Sequence, residues 1–322
     1  MAATPLHLAF VMDPIEAVSI DEDTTFVLML EAQRRGHHVY YVDPSSLGVR
    51  QGEAEAVVTP VTLQKETGNH VERGDSRRVL LDEAMDLAFQ RVDPPVDADY
   101  TIATQILALC RRTVVLNRPD SILAYNEKLF ALQFRDLMTD TIVTRRASEL
   151  REFLAQLGGE MIVKPLNGKG GEGIFHLIEG DRNLTSLLEQ ATGFGANWTM
   201  AQRYLPQVRE GDKRILLLEG EFLGAVLRVP AESESRANLH VGGKAVKTEL
   251  NRDDRRILDA VGPVLAREGL FFVGIDVIGG KLTEINVTSP TGVQEVNALE
   301  SVCLEARVID RAEALVASRK TG

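Results

Sequence analysis

Apolar and polar positions alternate along this chain in the manner of an α/β protein. His7–Met12 is a short continuous apolar run, the pattern of a buried strand. A helix capped by Asp23 or Thr24 runs through Arg35, and Gly36 stands where a C′ glycine belongs. Val39–Val42 returns to strand, so the chain opens with a β-α-β unit and an expected parallel sheet. Residues 48–78 are polar apart from an extended Val57–Val61, a pattern of hairpins or a surface excursion. A helical segment at Asp97–Arg112 and a strand at Thr113–Asn117 complete this first part. After Arg118-Pro119 the pattern predicts helices over 121–138 and 147–157, a strand at Met161–Lys164 and, beyond a glycine-rich loop, a strand at Ile174–Ile178. A turn and a short helix follow. Thr199–Tyr204 and Ile215–Leu218 read as strands, Asn251–Glu268 as an amphipathic helix, and Phe271–Ile278 with Lys281–Val287 as a hairpin around Gly279-Gly280. The class is α/β (α+β). Shifts of pattern divide the chain into 1–121, 122–203 and 204–322.

Composition narrows the function. The 322 residues carry 36 Lys and Arg against 47 Asp and Glu, a net charge of −11 that argues against a general nucleic-acid binder. No apolar run reaches the roughly 18 residues of a membrane span. The first twelve residues lack a basic region, and Asp13 and Pro14 interrupt their apolar stretch, so no secretory signal is expected. Cys110 and Cys303 fit no disulfide or zinc spacing, which suits a reducing cytoplasm. None of the six histidines pairs with a Ser or Cys in a nucleophilic arrangement.

Residues 168–173, Gly-Lys-Gly-Gly-Glu-Gly, satisfy G-x-G-x-x-G in letter, but the dinucleotide fingerprint needs a helix next and Ile174–Ile178 is a strand. Nor is Gly173 followed by the Lys of a P-loop. What remains is a glycine hairpin whose N–H groups can cover a polyphosphate, or a plain flexible turn. Lys128 on a helix and Lys164 before the loop favour the first, since two compact cations framing it can neutralise a triphosphate. Glu284 and Asn286, two apart on a strand, share a face and offer hard oxygen ligands of the kind Mg²⁺ takes. Asp276 joins them if a bulge or a three-residue turn pairs it with Glu284. A plain two-residue turn at Gly279-Gly280 would pair it with Thr283 and face it away. Arg214 and Arg236 are candidates to stabilise charge on a phosphoryl or tetrahedral oxyanion, or are surface ion pairs. Thr288-Ser289-Pro290-Thr291 is a turn with hydroxyls and N–H groups for a carboxylate.

Taken together these residues resemble the ATP-grasp superfamily and, more narrowly, the bacterial glutathione synthetases. The matching stretches are Val11–Ile15, Leu30–Gly36, Asp93-Pro94-Pro95, Asn126–Phe130, Val163–Leu166, the glycine loop, Met200–Gln202, Tyr204–Pro206, Gly211–Arg214 and Thr283–Thr291. The resemblance implies an N-terminal α/β domain, a small central lid and a C-terminal α+β domain carrying the metal hairpin. It implies ATP bound by Lys128, Lys164, Gly168, Gly170, Gly171, Gly173, Gln202, Arg203, Tyr204, Leu205 and Asp212. Mg²⁺, or Mn²⁺ in its place, is held by Asp276, Glu284 and Asn286, while Arg214 and Arg236 face the reacting acyl phosphate. Substrate contacts fall to Asp13, Arg91, Asn238, Gly242, Gly243, Ser289, Pro290 and Thr291. The implied reaction joins γ-glutamylcysteine to glycine, in a cytoplasmic homo-oligomer, with a tetramer favoured and neither nucleic acid nor membrane as a partner. Two other readings keep part of this pattern: an ATP-grasp ligase with another acceptor, and a non-catalytic ATP-binding module similar to the synapsins. The second would be expected to lose a metal ligand or the oxyanion arginine, and this chain keeps Glu284, Asn286 and Arg214.

Overall fold

The computed structural model describes residues 4–168, 170–231 and 243–321, which build three sheets. The first contains β1 (His7–Val11), β2 (His38–Val42), β3 (Gly48–Arg50), β4 (Glu53–Leu63), β5 (Val71–Arg73), β6 (Arg77–Leu80), β7 (Leu87–Gln90) and β8 (Val114–Leu116). Its order is β3-β4-β2-β1-β7-β8, with β5 and β6 also pairing β4. The strands β2-β1-β7-β8 are parallel, as the opening β-α-β pattern requires, and the polar stretch 48–78 forms the antiparallel meander β3–β6. The second sheet, β11-β10-β12-β9, is antiparallel and contains β9 (Thr141–Thr144), β10 (Glu160–Pro165), β11 (Phe175–Ile178) and β12 (Thr199–Arg203). The third, β15-β14-β13-β16-β17, is also antiparallel: β13 (Asp212–Leu218), β14 (Glu221–Val229), β15 (Lys244–Lys247), β16 (Phe272–Ile278) and β17 (Lys281–Asn286).

Ten α-helices of the described residues cover these sheets: α1 (Thr24–Arg34), α2 (Leu81–Ala84), α3 (Ala98–Leu107), α4 (Pro119–Ala124), α5 (Glu127–Ala131), α6 (Ala147–Gln156), α7 (Leu184–Ala191), α8 (Arg252–Arg267), α9 (Val293–Glu300) and α10 (Leu304–Thr321). No helix of the described residues is long and apolar enough to cross a membrane. Asp23 caps α1 by accepting from the Phe26 N–H, and Gly36 closes it at φ +84°. The stretch 121–138, read as one helix, is broken. Asn126 turns extended and accepts from the N–H groups of Lys128 and Leu129, so α4 stops and α5 restarts in a new direction. Strand β14 and helices α9 and α10 are additions to the sequence reading.

The cores run across sheet boundaries. Phe10 and Leu8 of β1 pack with Phe26 and Met29 of α1, with Val308 and Ile309 of α10, and with Leu216 and Leu218 of β13. On the other side of the third sheet, Ile257, Val261 and Leu265 of α8 meet Ile215, Ile275 and Ile285. The first and third sheets are also pinned through buried Asn117. Its Nδ2 donates to the carbonyls of Phe272 (3.0 Å) and Val287 (2.7 Å), and its Oδ1 accepts from the Phe272 N–H (2.8 Å).

At one point backbone touches backbone: α8 crosses the β13–β14 turn where Gly262 faces Gly220. A Cβ on Gly262 would stand 2.4 Å from the Gly220 carbonyl oxygen. In an unobstructed helix, Gly→Ala stabilises by about 1 kcal/mol. Here the sign reverses: Gly262→Ala is expected to lose about 1–3 kcal/mol by forcing the helix off the turn. Urea unfolding monitored by circular dichroism checks this, and a variant as stable as the parent would show that the crossing yields freely.

Candidate active site

A cavity of about 840 Å³ opens where the three sheets converge, and side chains from each line it. One face of the third sheet supplies most of the charge. Residues 212 and 214 lie on the same face of β13, Arg228 pairs with Asp212 across β14, and Asp276 pairs with Arg214 across β16. Whether Asp276 joins Glu284 depends on the β16–β17 register. The turn at Gly279-Gly280 is the two-residue form, with Ile278 opposite Lys281. An irregularity between Asp276 and Val277 then slips the ladder, so that Asp276 faces Glu284 rather than Thr283. The bulge brings Asp276, Glu284 and Asn286 to one wall of the cavity.

Asp276 is almost fully buried and doubly gripped. The Nε of Arg214 donates to its Oδ1 (2.5 Å) and Nη2 to its Oδ2 (3.0 Å), while Nη2 of Arg228 lies 3.0 Å from Oδ1. Burial alone would raise its pKa, but the two guanidinium groups hold the carboxyl well below the usual carboxylate range. Asp212, paired with Arg228 through Oδ2 (2.5 Å), shifts the other way. Burial, with Asp276 adding to it, pushes it up to about 6 against the pull of Arg228. Gly274 leaves room for this cluster, since a Cβ there would come within 3.0 Å of Arg214 Cδ and of Pro290 Cβ.

The lysines converge from two other elements. Lys128 at the start of α5 pairs its Nζ with Glu284 Oε1 (2.9 Å) and donates to the Gly168 carbonyl (2.9 Å). Lys164 at the end of β10 donates to the Thr283 carbonyl (3.1 Å). Burial pushes the Lys164 ammonium below its ordinary range, with Lys128 adding to the effect and Glu284 opposing it. Two cations, a glycine loop and three oxygen-bearing side chains thus share one cavity wall. The donors at the hairpin suit a hard divalent cation: two carboxylates and an amide. Asn286 donates through Nδ2 to Gly274 O (3.2 Å) and Asp276 Oδ2 (3.3 Å), and its Oδ1 makes no hydrogen bond to a described residue.

Most of the remaining expected residues also line the cavity. Gly168, Gly170 and Gly171 do so from the loop, as do Gln202 from β12 and Tyr204 and Leu205 from the link between the second and third sheets. The Gln202 amide is fixed on Thr141 Oγ1 (3.1 Å), and Tyr204 stacks on His176 at 4.1 Å. Asp13, Arg91, Ser289, Pro290 and Thr291 form the wall facing the first sheet. Arg91 is buried and donates to Pro290 O (2.8 Å) and Thr25 Oγ1 (3.1 Å), with burial lowering its pKa. Three expectations shift. Gly173 packs against Pro165 at the base of the loop and does not line the cavity. Gly243 leads into the edge strand β15, also away from it. Arg203 lines the cavity, but its guanidinium turns to Asp140 (2.8 Å) and to the Leu157 carbonyl. Arg236, Asn238 and Gly242 lie outside the described residues.

Two cavity residues escaped the sequence reading. Glu127 accepts at Oε1 from the N–H groups of Val287 (2.9 Å) and Thr288 (3.0 Å) and from Thr288 Oγ1 (2.8 Å), tying α5 to the end of β17. For Arg228 the available signal was a charge set among the apolar residues of Glu221–Val229, away from the exposed Glu221 at the strand's start, a position that demands a buried partner.

Comparison with known proteins agrees with this geometry. Residues 6–122 match the prokaryotic glutathione synthetase N-terminal domain, and residues 127–301 match its ATP-grasp domain. A glutathione synthetase of Mesorhizobium japonicum is 48% identical over 90% of this chain and 93% of its own. One of Brucella melitensis is 43% identical over 96% and 99%, and one of Gloeobacter violaceus 44% over 95% and 96%. Among solved structures, the D-cycloserine synthetase DcsG superposes with a TM-score of 0.66 at 13% identity, covering 95% of this chain and 99% of its own. The ATP-grasp ligase PsnB, bound to a minimal precursor, does so with 0.62 at 16%, covering 98% and 100%. These two likenesses establish the ATP-grasp fold. With both family domains matched and close relatives aligned over nine-tenths of its length, the chain belongs to the prokaryotic glutathione synthetase family.

Proposed function

We propose that this protein is a glutathione synthetase, an ATP-dependent ligase that joins γ-glutamylcysteine to glycine through an acyl phosphate. The observation that carries the reading is the meeting of Lys128, Lys164, Arg214 and the Asp276–Glu284–Asn286 set in one cavity. Lys128 and Lys164 hold the ATP phosphates, the N–H groups of Gly168, Gly170 and Gly171 cover them, and Gln202 and the 203–205 link line the adenine pocket, with Asp212 nearby. Asp276, Glu284 and Asn286 would hold Mg²⁺, with Mn²⁺ able to replace it. The bound ion would neutralise charge on the transferring γ-phosphoryl group. Asp13, Arg91 and the Ser289–Thr291 turn receive the peptide substrate and glycine. The cysteinyl carboxylate takes the phosphoryl group, the glycine amine attacks the resulting acyl carbon, and Arg214, joined by Arg236, stabilises the tetrahedral oxyanion before phosphate leaves. No protein nucleophile enters the sequence. The reading also divides the chain into an N-terminal domain (1–121), a lid (122–203) and a C-terminal domain (204–322). It places the protein in the cytoplasm as a homo-oligomer.

Phosphate release from the purified protein tests the reaction. With ATP, Mg²⁺, γ-glutamylcysteine and glycine, release should require all four components, and mass spectrometry should find the tripeptide. Release with other acceptors would make the chain a different ATP-grasp ligase.

A pair of variants separates chemistry from stability. Glu284→Ala leaves the buried Lys128 ammonium with the Gly168 carbonyl alone, so it should cost about 1–3 kcal/mol of stability yet slow turnover by roughly a hundredfold or more. Asp276→Ala leaves two buried guanidinium groups without their shared carboxylate and should cost about 3–5 kcal/mol. Guanidinium unfolding of the two proteins measures the contrast, and equal losses would contradict the burial argument.

A further inference from the structure

Two guanidinium groups hold Asp276, and they differ in where else they are held. Arg214 makes both of its charged contacts with Asp276, and its remaining bond, from Nη1 to the Thr291 carbonyl (3.1 Å), leads toward the 288–291 turn. Arg228 is anchored elsewhere. It is buried on β14, its Nη2 joins Asp212 Oδ2 to Asp276 Oδ1, and Asp212 is its direct cross-strand neighbour. Among the described residues, two atoms of this unit are buried without a hydrogen-bond partner, Nε of Arg228 and Oδ1 of Asp212. A bond is thus left unmade on each member of the pair, a cost that packing efficiency alone does not explain.

We infer that Arg228 is a positioning residue for the reaction: it keeps Asp276 and Asp212 at the cavity wall, so that Arg214 is free to leave Asp276 and face the reacting acyl group. The charges match at the first stage and leave one carboxylate charge uncompensated at the second. With Arg214 on Asp276, two carboxylates face two guanidinium groups. When Arg214 turns to the substrate, Arg228 still bridges both carboxylates, and the charge that Asp276 regains is available to a divalent cation. A single arginine could not both orient the carboxylate and serve the oxyanion. This inference rests on the reading of Asp276 as a metal ligand.

The test is Mn²⁺ binding, followed by electron paramagnetic resonance in the presence of ADP, together with steady-state kinetics of the full-length protein. Arg228→Met should weaken Mn²⁺ binding tenfold or more and raise the metal concentration needed for half-maximal rate in parallel, with the KM for γ-glutamylcysteine changed less than twofold. Arg228→Lys keeps the charge but loses the planar fork that spans two carboxylates. It should bind Mn²⁺ with intermediate affinity, and it decides the matter if the methionine variant does not fold. Folded variants that bind Mn²⁺ within twofold of the parent while losing thermal stability would overturn the inference and leave Arg228 a purely structural ion-pair partner. Asp276→Asn separates the two levels: unchanged Mn²⁺ binding there would sink the metal-ligand reading itself, whatever the Arg228 variants do.

Discussion

Asp276 keeps its charge almost out of water, and it can do so only because Arg214 takes both of its oxygens while Arg228 reaches one of them from two strands away. Removing a carboxylate from water costs several kcal/mol even after the protein relaxes, so both guanidinium groups must be delivered to the same face of the same sheet. Much of the third sheet follows from that demand. Arg214 and Asp276 sit directly opposite in the β13–β16 register, and Asp212 and Arg228 do so in the β13–β14 register. Gly274 gives up its side chain where Arg214 and Pro290 crowd the strand. The bulge after Asp276 has the same logic. Without it, the two-residue turn would place Thr283 opposite Asp276 and carry Glu284 to the apolar face against α8.

Around the site the three sheets are also tied by single polar residues, in addition to the hydrophobic core that the first and third sheets share. Asn117 joins β8's end to β16 and to the residue after β17; Glu127 clamps the start of α5 to Val287 and Thr288; Lys164 reaches from the second sheet to Thr283; and Arg91 reaches from the first to Pro290. Four of these anchor points fall between 283 and 290, the segment that carries the hairpin's oxygen ligands and the Thr-Ser-Pro-Thr turn. The backbone of that segment is therefore fixed from three directions, while the lysines hold carbonyl and carboxylate oxygens. A polyphosphate offers such cations stronger, charge-assisted acceptors.

What the sequence disclosed, and what it withheld, follows the range of the forces involved. The β-α-β opening, the Asp23 cap, the Gly36 terminator and the glycine loop are local decisions, and local pattern showed them. Glu284 and Asn286 were legible because strand periodicity alone puts them on one face. Asp276 was legible only as a choice between registers, since a bulge is decided by pairing with a distant strand. The break inside 121–138 was missed because Asn126 is a tolerable helix residue by propensity and acts as a cap only once α5 must present Lys128 to the loop. Strand β14 escaped for a similar reason: its glycine and its charged ends mask a strand whose buried Arg228 makes sense only beside Asp212.

The two long walls of the cavity handle charge differently, and the difference bears on what each can bind. On the third sheet, Asp212 and Asp276 offset Arg214 and Arg228, and Glu284 offsets Lys128, so the wall is close to neutral while densely charged. Such a wall can exchange partners: a cation taken up by the carboxylates releases a cation for the phosphates or the oxyanion, with little change in total charge. On the first-sheet side, Arg91 is as deeply buried, and its described contacts are a threonine hydroxyl, a carbonyl and the face of the Phe272 ring, with the charges of Asp23 and Asp93 opposing burial only in part. Burial outweighs the pull of Asp23 and Asp93 and lowers its pKa, and no ion pair to a described residue offsets the cost. A carboxylate brought in by substrate would supply that partner. In our reading of the function, the exchangeable wall is then where phosphoryl transfer happens, and the under-compensated wall is where an anionic peptide is held still for it.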